Sequence, residues 1–373
     1  MSAPCRVAVV GLGGMGHHHA AAVVAEQGCE LAGGAEIDAI RARQWQSAFA
    51  APVYDDFESL FDHESPQVAI ISTQAPAHHD PTLAAARRGI HVFCEKPIAL
   101  DLVQADEMVA VCSKREVRFA INHLKRASPY NRHVLDRIAA GDIGQVLSLR
   151  ATNKGGRRAG NELMEMGTHL YDWMRLLAGD VEWIHGHLLQ LDGRPSIVAD
   201  IRYTQEVNPK DRDAGLVLGE RAYVSARFHS GVHGEIQFAA EETTDDSCYG
   251  IDIIGSEGRI ALRRSVGTEM FLHNGGHMSP TDSWQRISLE EEDVDERGQR
   301  RDAASVRLLL QRFMLRDLVA RIDDGGMPLS CGEDGQRCLE MIHATYESHR
   351  REQRVYMPLT PREHPLTRWR AGT

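Results

Sequence analysis

Three side chains at helical spacing, and one lysine set before a proline, have the residue types that proton-coupled oxidation needs. Glu165, His169 and Asp172 stand at i, i+4 and i+7. At ~100° per residue they fall within about 60° of one another on a helix face. A carboxylate one turn from a histidine sets its tautomer and raises its basicity. As hydride leaves a carbinol carbon, the hydroxyl proton must pass to a base held near neutral pKa, and this triplet contains one. Met166, Leu170, Trp173 and Leu177 recur beside it and predict the helix's buried stripe. The competing reading is a solvated polar helix face. Lys96 follows Cys94-Glu95 and precedes Pro97. The proline restricts the backbone and admits a cis bond, which would aim the ammonium. Taken alone, Lys96 reads as a surface lysine snorkelling at a loop.

These groups need a scaffold, and its first element is at the N-terminus. A short apolar run (Val7, Val9, Val10) ends in Gly11-Leu12-Gly13-Gly14-Met15-Gly16, and an Ala/Val-rich helical run reaches Ala25. Strand, glycine turn and helix in that order is the context that makes G-x-G-x-x-G a dinucleotide signal. Gly11 permits the tight turn, Gly13 lets a pyrophosphate approach the backbone, and Gly16 lets helix and strand pack closely. The helix N-terminus offers N–H groups to the phosphates. A second apolar run, Glu30–Ala35, ends in Glu36, twenty residues after Gly16. An acid there accepts from the ribose hydroxyls and repels a 2′-phosphate, which favours NAD over NADP. The bland alternative is a glycine turn with a solvated Glu nearby.

Strands and helices then alternate, as in a doubly wound parallel sheet. Strands are predicted at 51–54, 67–71, 90–94 and 117–121, with helices at 39–49, 81–88 and 102–114. Ligands bind beyond the carboxyl ends of such strands, which places Lys96 at the mouth of the cofactor crevice. After Asn122 the pattern changes to long alternating strands, among them Gln145–Thr152, Val181–Leu191 and a hairpin from Arg221–Ser230 to His233–Ala240. One-sided alternation predicts a mostly antiparallel sheet with one face packed and one free for a partner. Amphipathic helices at 303–323 and 333–352 close the chain, beside the sheet or back on the first domain. Arg194–Leu218 and Leu289–Asp302 read as loops. The predicted fold is α/β: a Rossmann domain over 1–125, then an α/β domain with a large open sheet over 126–373.

The bulk numbers exclude several classes. Acidic residues number 53 against 42 basic, a net charge of −11, with no long basic run. That charge argues against nucleic acid and anionic membrane surfaces as partners. No apolar stretch reaches the roughly eighteen residues of a membrane span. Met-Ser-Ala-Pro-Cys-Arg enters the first strand at once, leaving no room for a signal peptide, so a cytoplasmic protein is expected. Seven scattered cysteines without a C-x-x-C pair read as thiols in a reducing compartment. His17-His18-His19 point about 100° apart and cannot share a metal; His185 and His187 share a strand face but read as plain surface or core residues. No metal site is expected.

The ordered motifs resemble those of the Gfo/Idh/MocA oxidoreductases. G-x-G-x-x-G-x-x-H is Gly11–His19. The histidine, glycine and E-K-P series is His78, Gly89 and Glu95-Lys96-Pro97. D-x-G-x-H-x-x-D is Glu165–Asp172, and Gly255-Ser-Glu-Gly258 is similar to the family's G-x-x-G between sheet strands. The resemblance implies an open sheet that pairs subunits, as a homodimer or homotetramer, and a carbohydrate substrate. It implies Ser72, Thr73, Gln74, His78, Glu95 and Lys96 as further cofactor contacts. It also implies Lys96 and His169 as a catalytic pair, with Lys96 on the reacting oxygen and His169 moving its proton. Two departures stand out: Gln74 replaces the usual proline after Thr73, and Glu165 replaces the usual aspartate. Asn153, Lys154, Arg157, Arg158 and Asp172 are candidate substrate contacts; Arg157 and Arg158 read equally as solvated.

The expected activity is NAD-dependent oxidation of a secondary hydroxyl on a sugar, glycoside or cyclitol. Second comes a redox-neutral glycosidase that oxidises, eliminates, hydrates and re-reduces, with Glu165 as the base for the acidified C2 proton. A cofactor-binding regulator without turnover is third.

Overall fold

The computed structural model describes residues 3–153, 161–207, 213–239, 249–264, 266–276 and 284–372. The chain begins β1 (Cys5–Val10), α1 (Gly14–Ala25), β2 (Cys29–Ala35), α2 (Ala39–Phe49), β3 (Val53–Tyr54), α3 (Phe57–Glu64) and β4 (Val68–Ile71). It continues α4 (His79–Arg87), β5 (His91–Cys94), α5 (Leu102–Lys114) and β6 (Phe119–Ile121). The six strands form one parallel sheet in the order β3-β2-β1-β4-β5-β6. Val68–Ile71 is buried throughout, as a strand covered on both faces must be. Caps follow the sequence: Asp38, Asp56 and Asp101 each accept a first-turn N–H of α2, α3 and α5.

The next elements are α6 (Pro129–Ala140), β7 (Val146–Thr152), α7 (Asn161–Glu165), α8 (Gly167–Ala178), β8 (Val181–Leu189), β9 (Arg202–Tyr203), α9 (Thr204–Val207) and β10 (Leu216–Val217). Then come β11 (Arg221–Phe228), β12 (His233–Ala239), β13 (Gly250–Gly255), β14 (Arg259–Arg263), β15 (Glu269–His273), β16 (Gln285–Ile287) and α10 (Glu290–Asp293). The chain closes with α11 (Ala303–Asp324), α12 (Gly332–Arg351), β17 (Val355–Tyr356) and α13 (Pro365–Arg370).

The chain divides into two compact units, Met1–Ala127 with Arg307–Arg337 and Ser128–Val306 with Cys338–Thr373. In the first, α11 is tied down by Glu26, whose buried carboxylate accepts from Arg312 Nε at 3.1 Å and Arg316 Nε at 2.8 Å. In the second, nine strands run β16-β15-β14-β13-β7-β12-β11-β8-β17, antiparallel except for the parallel β12–β7 pair. One face carries Leu149, Ala151, Val224, Ile236 and Phe238, all buried. Gly186 lets α12 close onto it, since a Cβ there would lie 2.6 Å from the Thr345 carbonyl oxygen. The other face carries exposed Arg150, Tyr223, Arg227, Glu235 and Gln237, with a cross-strand Arg150–Glu235 pair at 3.1 Å.

Two segments expected as loops hold short elements. Residues 194–218 contain the two-stranded β9–β10 sheet and α9, and 289–302 contain α10. Elements of two to four residues are too short to leave a period in the sequence. The same holds for β17, of two residues, and the six residues of α13 span less than two helical turns.

Candidate active site

The first unit builds a cradle at the end of β1. Gly11 turns with φ +86°, and a Cβ on it would lie 2.7 Å from the Thr73 nitrogen. A Cβ on Gly16 would lie 2.2 Å from the Gly11 carbonyl oxygen. Close backbone approach therefore requires glycine at both positions. Gly13 and Gly14 differ, because a Cβ on either meets nothing within 4 Å. Gly13 caps α1 without a side chain, so the first-turn N–H groups of Gly14, Met15 and Gly16 have no helical acceptor. Open space in front of those donors fits an anionic diphosphate. Ser72 Oγ donates to the Gly11 carbonyl at 2.8 Å and holds the turn from below.

Glu36 follows β2 and is buried. Its Oε2 accepts from Leu12 N at 2.9 Å, and its Oε1 from Asp38 N and Arg41 Nη2, both at 3.0 Å. Burial works against the charge, but the Arg41 and backbone hydrogen bonds outweigh it and hold the carboxyl below its usual range. Leu12 is thus an anchor for Glu36 through its own N–H. Arg41 was missed; it lies five residues past Glu36, on the first turn of α2, where only the fold reveals its partner.

Beyond β5, the Lys96–Pro97 bond is cis and Lys96 is buried. Its neighbour Glu95 accepts from Asn122 Nδ2 at 2.6 Å and His19 Nε2 at 2.8 Å, all three buried. The last histidine of the glycine motif therefore ties α1 to the strand that presents Lys96. His78 faces the Pro97 carbonyl through Nδ1 at 3.0 Å and the Thr73 carbonyl through Nε2 at 3.2 Å. Burial holds its pKa down, and a neutral ring donates to only one of the two. His78 brackets the loops that carry Thr73 and Lys96, while Gln74 lies exposed beside them.

In the second unit, the expected single helix is broken. α7 ends at Glu165, and α8 restarts after a turn at Met166, whose carbonyl accepts from both His169 N and Leu170 N. The step from Glu165 to His169 crosses that break, so their helical phase is not that of one continuous helix. The buried stripe also shifts: Leu170 and Trp173 are buried with Tyr171 and Met174, whereas Met166 and Leu177 are half-buried. Tyr171 is fixed by Thr345 at 2.6 Å, and Trp173 Nε1 donates to Asn131.

The polar face is not solvated. Glu165 is 5% exposed and Asp172 1%, on either side of half-buried His169. Cys338 Sγ lies 3.9 Å from Asp172 Oδ1. Glu162, unnoticed in the sequence, is a third buried carboxylate. Burial first, then the charges of Glu162 and Asp172, push the Tyr249 hydroxyl well above its ordinary pKa. Asn153 is buried at the end of β7, its N–H on the Gln237 carbonyl at 3.0 Å. Lys154, Arg157 and Arg158 lie outside the described residues.

A parallel-sheet unit with a glycine turn at a helix N-terminus, followed in the chain by an open-sheet unit with buried acids close to a histidine in sequence, is the pattern of a two-part dinucleotide protein. The chain matches the oxidoreductase family's NAD-binding Rossmann fold over residues 5–123 and its C-terminal alpha/beta domain over 136–359. It belongs to the Gfo/Idh/MocA oxidoreductase family and carries its NAD-binding domain. Myo-inositol 2-dehydrogenase of Thermotoga maritima is 24% identical over 92% of this chain and 96% of its own. The 2,7-anhydro-N-acetylneuraminate hydratase of Mediterraneibacter gnavus is 35% identical, over 28% of each chain. A levoglucosan dehydrogenase solved with NADH and levoglucosan has the same fold, with a TM-score of 0.76 at 18% identity over 95% of this chain and 100% of that one. Among the described residues no helix is long and apolar enough to cross a membrane.

Proposed function

We propose that this protein is an NAD-dependent dehydrogenase acting on a secondary hydroxyl of a sugar, glycoside or cyclitol. The observation that carries this reading is the burial of Glu165 and Asp172, four residues before and three after His169 in the chain. Burying a carboxylate is costly unless hydrogen bonds or charges offset it, and acids held that way next to a histidine in the chain are candidates for a functional site. The dehydrogenase names borne by relatives support the same class. NAD, when bound, supplies the hydride acceptor. Lys96 donates a hydrogen bond to the reacting oxygen. His169 takes the hydroxyl proton, and Glu165 orients its imidazole. Asn153 and Asp172 contact substrate hydroxyls, with Lys154, Arg157 and Arg158 near them in sequence. Glu36 sets the preference for NAD. The polar open face of the nine-stranded sheet pairs copies of the chain as a homodimer or homotetramer.

Incubation with NAD and a panel of sugars, glycosides and cyclitols tests the reading through growth of NADH absorbance. Lys96→Ala should lower kcat by about 10²–10⁴-fold and raise the NADH dissociation constant far less, since the glycine loop and Glu36 remain. Equal turnover in the variant refutes the role of Lys96. The redox-neutral glycosidase stays as the second reading, because a hydratase is among the relatives and Glu165 has the reach of a carbon-acid base. Release of aglycone without net NADH selects it. Bound NAD with neither signal selects the regulator.

A further inference from the structure

Helix α11 carries four arginines, Arg307, Arg312, Arg316 and Arg321. Three hold carboxylates: Arg312 and Arg316 meet Glu26, and Arg321 meets Asp324 at 2.9 Å. Arg307 has no carboxylate partner among the described residues. It is half-buried, and its Nη1 lies 3.9 Å from the sulfur of Met15. A thioether is a weak acceptor and carries no charge. The guanidinium is therefore held against the first turn of α1, the turn whose N–H groups lack helical acceptors and which contains no acidic residue. His18, on the same helix, has its pKa lowered by burial and next by the Arg307 charge. The Arg307 guanidinium stays charged at any ordinary pH and brings a full positive charge to this end of the loop.

We propose that Arg307 is a further cofactor-binding residue, pairing with the diphosphate of the dinucleotide held by the glycine loop. The inference rests on the NAD-binding reading of the first unit and goes beyond the fingerprint, which assigns only backbone groups. A helix N-terminus offers about half a positive charge, well short of a diphosphate's negative charge. A planar guanidinium supplies a full one and matches phosphate oxygens in pairs. Its approach from α11 makes diphosphate recognition depend on a helix near the far end of the chain.

The test is the binding of NADH, ADP-ribose and adenosine to the full chain, by fluorescence titration and competition. Arg307→Met keeps the packing against Met15 and removes the charge. It should weaken NADH and ADP-ribose by about 10- to 100-fold, leave adenosine unchanged, and flatten the salt dependence of NADH binding. Arg307→Lys should recover part of the loss. NADH and ADP-ribose affinities equal to wild type in Arg307→Met overturn the inference while the cofactor assignment stands. An equal loss for adenosine also overturns it, by showing a distorted loop in place of a missing charge. Wild-type protein that binds neither NADH nor ADP-ribose overturns both the inference and the assignment beneath it.

Discussion

The parallel sheet of the first unit is covered on both faces, and its candidate chemistry lies at strand ends, in backbone N–H groups and loop side chains. The nine-stranded sheet of the second unit is covered on one face, and its candidate chemistry sits on a pair of short helices. In the first unit the glycine turn depends on missing atoms: a Cβ on Gly11 or Gly16 would strike backbone, and one on Gly13 would enter open space. In the second the candidate groups are side chains kept from water, with Glu162, Glu165 and Asp172 all buried. A dinucleotide's diphosphate is recognised by backbone that any sequence with the right glycines can present. A substrate hydroxyl has to be met by particular side chains, and those are held by packing.

Substitutions separate the two strategies. The largest effect is expected from Gly16→Ala, whose Cβ would fall 2.2 Å from the Gly11 oxygen. Backbone would have to move against backbone. The cost is about 3 kcal/mol or more, read as a lower Tm together with loss of NADH binding; a variant that keeps both breaks the close-packing account. Gly13→Ala sharpens the contrast, because its Cβ meets nothing within 4 Å and its φ of −70° suits alanine. The free protein should melt at the wild-type temperature while NADH binds about tenfold more weakly, a loss of about 1.4 kcal/mol. Unchanged affinity would mean that the open space at Gly13 is not where the phosphates lie.

Glu36→Ala removes the acceptor of the Leu12 and Asp38 N–H groups and leaves Arg41 facing the same space. Stability should fall by about 1–2 kcal/mol, and the ratio of NADH to NADPH affinity should shrink. A constant ratio refutes the ribose assignment.

The smallest effect is expected in the second unit, from its C-terminal segment. His364 caps α13, its Nδ1 accepting from Leu366 N at 3.2 Å. Burial pushes its pKa down to about 4 from 6.5. Between those values the unfolded chain binds more protons than the folded one. The histidine's stabilising contribution is therefore complete above about pH 6.5 and is lost as pH falls toward 4. His364→Asn keeps a capping acceptor and removes the titration, so its Tm should fall less steeply than wild type over that window, with NADH affinity at neutral pH unchanged. Parallel Tm profiles would clear His364 of the effect.

The two sheet types follow from features visible in the chain. Continuous apolar runs marked the covered parallel strands, and alternation from Val181 onward marked the one-sided sheet. Gly231, at φ +89°, turns the β11–β12 hairpin between Ser230 and His233, where the sequence placed it. The parallel β12–β7 pairing was not visible, because pairing partners are chosen across the chain. The helix around His169 was read correctly in its residue types but not in its continuity, since periodicity cannot see a one-residue turn at Met166.

By itself the sequence determined the glycine turn, the acid after β2, the strand that ends in Glu95-Lys96-Pro97 and the histidine with acids around it. Those depend on backbone preference and on spacing within a few turns, which act locally. Tertiary structure alone decided that Arg41 shares Glu36, that His19 and Asn122 meet on Glu95, that Asp172 and Glu162 leave water, and that Arg307 comes to rest on Met15, 292 residues away. Burial and charge pairing are set by whichever groups the fold brings within a few ångströms, and no local pattern along the chain encodes that distance.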